Sequence, residues 1–185
     1  VYIGYPIMTE RFSRVTVNIG LGVHDAWQRI RALGHERIGL VVNRAVEERN
    51  HGLREAMWLR LQRERPARER VPACVIDNTA AAEPELRRWL QRHRPDAVLH
   101  AYVDGERLRR SQSATRRAAP LFNLTIAEGE PGPGMYQDPI AHGRVGIELL
   151  IAMVNRNERG EPGLPITTLI EPVWQPASAG AQVER

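Results

Sequence analysis

Arg49 stands just past an apolar strand expected over residues 38–42, at the opening of a helix expected over 47–64. Open α/β sheets put their ligands in the crevice beyond the strand ends, and a planar guanidinium with five donors suits paired hydroxyls or a carboxylate. The alternative is an ordinary surface arginine. Asn18 follows a strand expected over 14–17; its amide can donate and accept, and it can equally cap the helix that follows. Tyr102 comes directly after a strand expected over 97–101, where an aromatic ring either stacks on a ligand or belongs to the core or rim. Gln137 and Asp138 precede a helix expected over 139–155, and Asp138 also suits the N-cap role.

Nothing comparable points to catalysis. The six histidines, His24, His35, His51, His93, His100 and His142, show no H-E-x-x-H pattern and no metal-ligand spacing. There is no Gly-x-Ser-x-Gly elbow, and Gly20-Leu21-Gly22 lacks the third glycine of a dinucleotide fingerprint. Glu128 and Glu130 flank Gly129 in a loop, which does not position an acid/base pair. No metal or cofactor is expected, and the chain is not expected to be an enzyme.

Strands alternate with helices along the chain. Short strands are expected over 6–9 and 14–17, and Val23, Ala26, Trp27, Ile30 and Leu33 form one stripe of an amphipathic helix over 22–33. The helix over 47–64 is expected to bury Leu53, Ala56, Met57, Leu61 and Trp58, with Pro66 ending it. Residues 73–76 suit a short buried strand, 83–93 a helix that gathers Leu86, Trp89 and Leu90, and 97–101 a further strand. Residues 104–118 are helix-like but polar, 121–124 strand-like, and 128–134 turn-rich. The helix over 139–155 carries Ile140, Gly143, Ile147, Leu150, Ile151 and Val154 as its core stripe, and 166–173 reads as a last strand. Parallel strands need crossovers that here are helical, so the class is α/β with a doubly wound parallel sheet.

With 185 residues the chain can bury a core, and two small lobes are its upper limit. No apolar run approaches the ~18 residues of a membrane span, the opening residues do not form a signal peptide, and no membrane partner is expected. The lone Cys74 cannot form an internal disulfide and is expected to pack as a small hydrophobe in a reducing cytoplasm. The formal charge is +4 and all 26 basic residues are arginines, spread along several helices as a solvated surface rather than a groove-reading helix.

Leu33-Gly34-His35 with Arg37-Ile38, the Arg49-x-x-Gly52 element, Pro95-Asp96-Ala97-Val98 and the tail carry a resemblance. The chain resembles, over nearly its whole length, the effector-binding domain of LacI/GalR-type transcriptional regulators, which share a bilobed fold with periplasmic sugar-binding proteins. Gly134-Met135-Tyr136-Gln137-Asp138, the run from Asn155 to Pro162 and Ile170-Glu171-Pro172-Val173-Trp174 look like a Verrucomicrobia-like branch.

The resemblance implies a periplasmic-binding-protein-like type I fold with an incomplete first lobe, residues 1–14 and 135–161, and a second lobe, 15–134 and 162–185. It also implies a helix-turn-helix head and most of the first lobe upstream of this chain. A first lobe so reduced leaves an unpaired edge and an uncovered apolar face.

In this family the arginine of the R-x-x-G element contacts the effector, which is Arg49 here. Asn18 stands where an aspartate is usual. The usual Asn-Asp after the Pro-Asp-Ala-Val strand is replaced by Tyr102-Val103, with Asp104 one step on, and the aspartate after the next strand is replaced by Thr125. Gln137 and Asp138 open the return helix toward the cleft, and Arg49 and Asn18 are expected to line one wall of it.

The function implied is sensing of a small molecule, a sugar or derivative, by a cytoplasmic homodimer that meets operator DNA only through the head. A sugar-binding protein of a transport system has the same fold and predicts a signal peptide or lipid anchor upstream instead. A small α/β enzyme predicts a nucleophile or acid/base set that the residues do not supply.

Overall fold

A computed structural model describes residues 1–5, 11–112 and 118–177. Nine strands form two sheets among these residues: β1 (Tyr2–Ile3), β2 (Arg14–Val17), β3 (Ile38–Asn43), β4 (Cys74–Ile76), β5 (Ala97–Ala101), β6 (Leu121–Ile126), β7 (Gly134–Tyr136), β8 (Thr167–Ile170) and β9 (Val173–Gln175). The small sheet has the order β1-β2-β8 and the large one β4-β3-β5-β6-β7-β9. Every pairing is parallel except β7 with β9. The helices are α1 (Ile19–Ala32), α2 (Arg44–Arg49), α3 (Leu53–Arg63), α4 (Glu83–His93), α5 (Gly105–Gln112) and α6 (Pro139–Asn155). The expected strand over 6–9 lies outside the described residues.

The large sheet is covered on both faces, as the apolar runs of β3 and β5 require. Ile38, Leu40, Val42, Leu99 and Ala101 pack under α1 and α3, while Val41 and Val98 pack under α4 and α5. The buried face of α1 is Ile19, Gly22, Val23, Ala26, Trp27 and Ile30 at helical spacing. Leu33 does not join it: it caps the helix and is exposed. Cys74 is buried, and burial pushes its thiol up to about 12, so it packs as a hydrophobe.

Gly39 in β3 lies against Trp89, whose indole N–H donates to the Pro72 carbonyl and cannot swing aside. A Cβ at Gly39 would run into the indole edge and come within 3.2 Å of Pro95 Cβ. Gly39→Ala is therefore expected to cost about 1–3 kcal/mol, read as a lower urea midpoint. An unchanged midpoint would contradict this packing.

Four expectations are corrected. The single helix over 47–64 is two helices, because His51 and Gly52 take φ of 55° and 69° and break it. Its buried face is Arg54, Trp58, Leu61 and Gln62, so Leu53 and Ala56 face outward. The last strand is also two: Pro172 follows β8, and β9 then pairs with the other sheet.

The third correction concerns α6. The stripe expected to be its core points away from the small sheet, with Ile140, Ile147, Leu150, Ile151 and Val154 all exposed. Only Gly146 is buried, close against Ile3. Among the described residues, the three strands of the small sheet cover no more of this helix.

The fourth concerns where the chain passes between sheets. Residues 15–17 pair with β1 and β8 in the small sheet, β7 belongs to the large one, and β8 to the small. The passages therefore fall at Asn18, at Gln137-Asp138 and at Glu171-Pro172, not at 14/15, 134/135 and 161/162. Hydrogen bonding decides this, since Asn18 N still donates to Ile170 O.

Candidate functional site

From β3 the chain moves outward to β4 and then returns to β5 on the other side, so β3 and β5 enclose a topological switch point. Such a point leaves a crevice beyond the carboxyl ends of the strands. Asn43 ends β3, Tyr102 follows β5, and two cavities open there, both lined by Val46 and Tyr102.

The first, about 470 Å³, lies between the two sheets. Tyr2, Ile3 and Thr16 line it from the small sheet, and Arg49, Asn50 and Arg54 from the large one. Gln137 and His142, at the second passage, close its side. Arg49 is half-buried there, and its guanidinium has no hydrogen bond or ion pair with the described residues. It closes α2 rather than opening a helix.

The support beneath Arg49 is a buried ion pair. Gly52 is the N-cap of α3 and has no side chain to offer. Glu47 takes over: its Oε1 accepts from Arg54 N at 2.8 Å and Glu55 N at 3.2 Å, the second and third positions of the helix. Its Oε2 pairs with Arg54 Nη1 at 3.2 Å, with both side chains nearly out of solvent. Arg54 in turn sits 5.4 Å from the Tyr102 ring centroid. Burial, and then the Glu47 charge, push the neighbouring Glu55 carboxyl upward.

The second cavity, about 750 Å³, runs from Tyr102 down the outer face of β6 toward Asn123 and Gly132. Asp104 and Thr125 line it. Asp104 Oδ1 accepts from Glu106 N and holds the first turn of α5, while Thr125 Oγ1 donates to Asn123 Oδ1 at 2.9 Å.

The expected residues thus divide. Arg49, Tyr102 and Gln137 meet in the cleft, and Tyr102, Asp104 and Thr125 meet in the adjoining cavity. Asn18 lines a separate narrow crevice with Pro172, which adjoins the cleft through Arg54 and Gln137, and its Oδ1 accepts from Leu21 N and caps α1. It does not share a cavity wall with Arg49. Asp138 lines neither cavity and caps α6, accepting from Ile140 N and Ala141 N.

Arg54, Asn50 and His142 escaped the sequence reading. Glu47 and Arg54 are seven apart, a spacing that no continuous helix brings together as a surface pair; only the break at 51–52 does so.

His100, on the floor of the second cavity, is buried with its Nδ1 unpartnered. Burial pushes its imidazole down to about 4; a backbone hydrogen bond at Val103 pulls upward and the Arg109 charge downward. In the unfolded chain it titrates near 6.5. Its neutral burial therefore favours folding fully above about pH 6.5, and that contribution falls away as pH drops toward 4, by on the order of 3 kcal/mol. The His100→Leu variant should lose less stability than the parent between pH 7 and 4.5 in urea titrations. Equal losses would show that His100 is not buried neutral.

Among the described residues no His/Cys/Asp/Glu group is arranged to hold a metal ion, and no helix is long and apolar enough to cross a membrane.

The chain has the α/β fold with parallel sheets of the periplasmic-binding-protein-like effector domains of LacI-type regulators, over part of their length. It matches a transcriptional regulator CelR–cellobiose complex with a TM-score of 0.65 at 22% identity, over 94% of this chain and 56% of the other. The lactose repressor bound to the anti-inducer ONPF matches with 0.64 at 15%, over 88% and 62%. A LacI family regulator from Enterococcus faecium with bound ribose matches with 0.57 at 12%, over 94% and 67%. At these identities the likeness is one of fold. No protein-family profile matches the sequence, and no curated protein matches it.

Proposed function

We propose that this chain is the effector-binding region of a LacI-type DNA-binding transcriptional regulator, with a sugar or sugar derivative held between its two sheets. The observation that carries the reading is the half-buried Arg49 guanidinium, unpaired among the described residues, in a cleft lined from both sheets. A ligand bridging the sheets binds one relative placement of them better than another, and that difference is what a sensor needs. Arg49 and Gln137 supply hydrogen bonds to hydroxyls, and Tyr102 an apolar face for a pyranose or furanose ring. Sugars bound to three of the matching regulators, cellobiose, ribose and lactose, support the ligand class.

In this reading the open stripe of α6 is where further residues of the first lobe pack, two copies associate side by side in the cytoplasm, and a helix-turn-helix head meets the operator. Sugar binding is tested by thermal shift of the protein with ribose, glucose, cellobiose and lactose, because a ligand of the folded state raises the melting temperature. A saturable rise with at least one of them is expected. No rise with any, at millimolar concentrations, contradicts a sugar sensor.

A further inference from the structure

Tyr102 belongs to both cavities, and its backbone is held at φ 55°, a left-handed conformation costly for a residue with a bulky side chain. Nearly half of the residue remains exposed. The buried Arg54 guanidinium under the ring steadies it, so a stacking surface is available at little entropic cost. The second cavity is larger than the first and shares Val46 and Tyr102 with it.

The polar lining of that cavity combines amides and a hydroxyl with an excess of carboxylates. Asn43, Asn78, Asn123 and Thr125 line it beside the Asp104 and Glu130 carboxylates, Arg109 is paired with Glu106, and His100 carries no charge at neutral pH. Such a wall suits hydroxyl groups better than a phosphate or carboxylate.

We infer that the ligand is an uncharged saccharide of two or more units, with one unit in the cleft beside Arg49 and the next past Tyr102 in the second cavity. This rests on the sugar-sensing reading above and extends it to chain length. Arg49 serves the first unit and the Asn43/Asn123/Thr125 wall the second.

The test is a titration series by calorimetry with glucose, cellobiose and cellotriose, and with galactose and lactose, on the unaltered protein, on Gly105→Phe and on Gly105→Ala. Gly105 opens α5 on the wall of the second cavity, and a Cβ there meets nothing closer than Arg109 Nη1 at 3.9 Å. At least one disaccharide is expected to bind roughly tenfold or more tightly than its monosaccharide. Gly105→Phe should erase that difference and leave the monosaccharide affinity in place, whereas Gly105→Ala should keep the difference. Equal affinities for mono- and disaccharides, or a preference that survives Gly105→Phe, overturn the inference and leave sugar sensing standing. Absence of binding by every saccharide overturns both. If Gly105→Phe does not fold, the length series on the unaltered protein decides alone.

Discussion

Glu47→Ala is expected to destabilise the protein by on the order of 3–5 kcal/mol, lowering the melting temperature by roughly 10 °C. Two losses combine. The first-turn amides of Arg54 and Glu55 lose their acceptor at a helix whose glycine N-cap cannot replace it, and the Arg54 guanidinium is left buried without its counter-charge. Glu47→Gln separates the two, because its amide oxygen still accepts from the amides while the charge is gone. It should fall between the parent and Glu47→Ala. A Glu47→Ala protein within 1 kcal/mol of the parent would show that the pair does not hold the break between α2 and α3. Arg54 underlies Tyr102, so loosening it should also weaken ligand binding.

Arg49→Ala is expected to act the other way, on binding and not on folding. The side chain has no partner among the described residues and closes a six-residue helix, so its removal leaves no orphaned group. A lost charged hydrogen bond is worth about 1.5–3 kcal/mol, a roughly ten- to hundredfold fall in affinity for the best-binding sugar of the panel. The melting temperature without ligand should stay within a degree or two of the parent. Unchanged affinity would remove Arg49 from the site.

Much of the large sheet was legible from residues alone. The unbroken apolar runs of β3 and β5 and the helical spacing in α1 and α4 are dictated by burial on both faces, which sequence displays directly. The small sheet was less so. Residues 14–17 and 167–170 read as strands, but which sheet they join depends on pairing between segments about 150 residues apart, and no local pattern encodes it. β7, three residues long, offers no period to detect.

The stripe of α6 was legible as apolar but not as exposed, since periodicity reports a face and not what lies over it. At the site, Arg49, Tyr102 and Gln137 followed from strand ends and a resemblance. Arg54 did not, because a charged residue replaces the apolar one at the head of a buried face, and the Glu47 that makes this possible is reached only through a left-handed turn.

Hydrogen exchange of the protein, with and without the best-binding sugar at saturation, bears most directly on a ligand held between the sheets. The account predicts added protection on both sides at once, at residues 2–5 and 16–17 of the small sheet and at 46–54 and 102 of the large one, joined by 137–142. Protection confined to one sheet, or lying at the far end of the large sheet near Arg37 and His93, would contradict it.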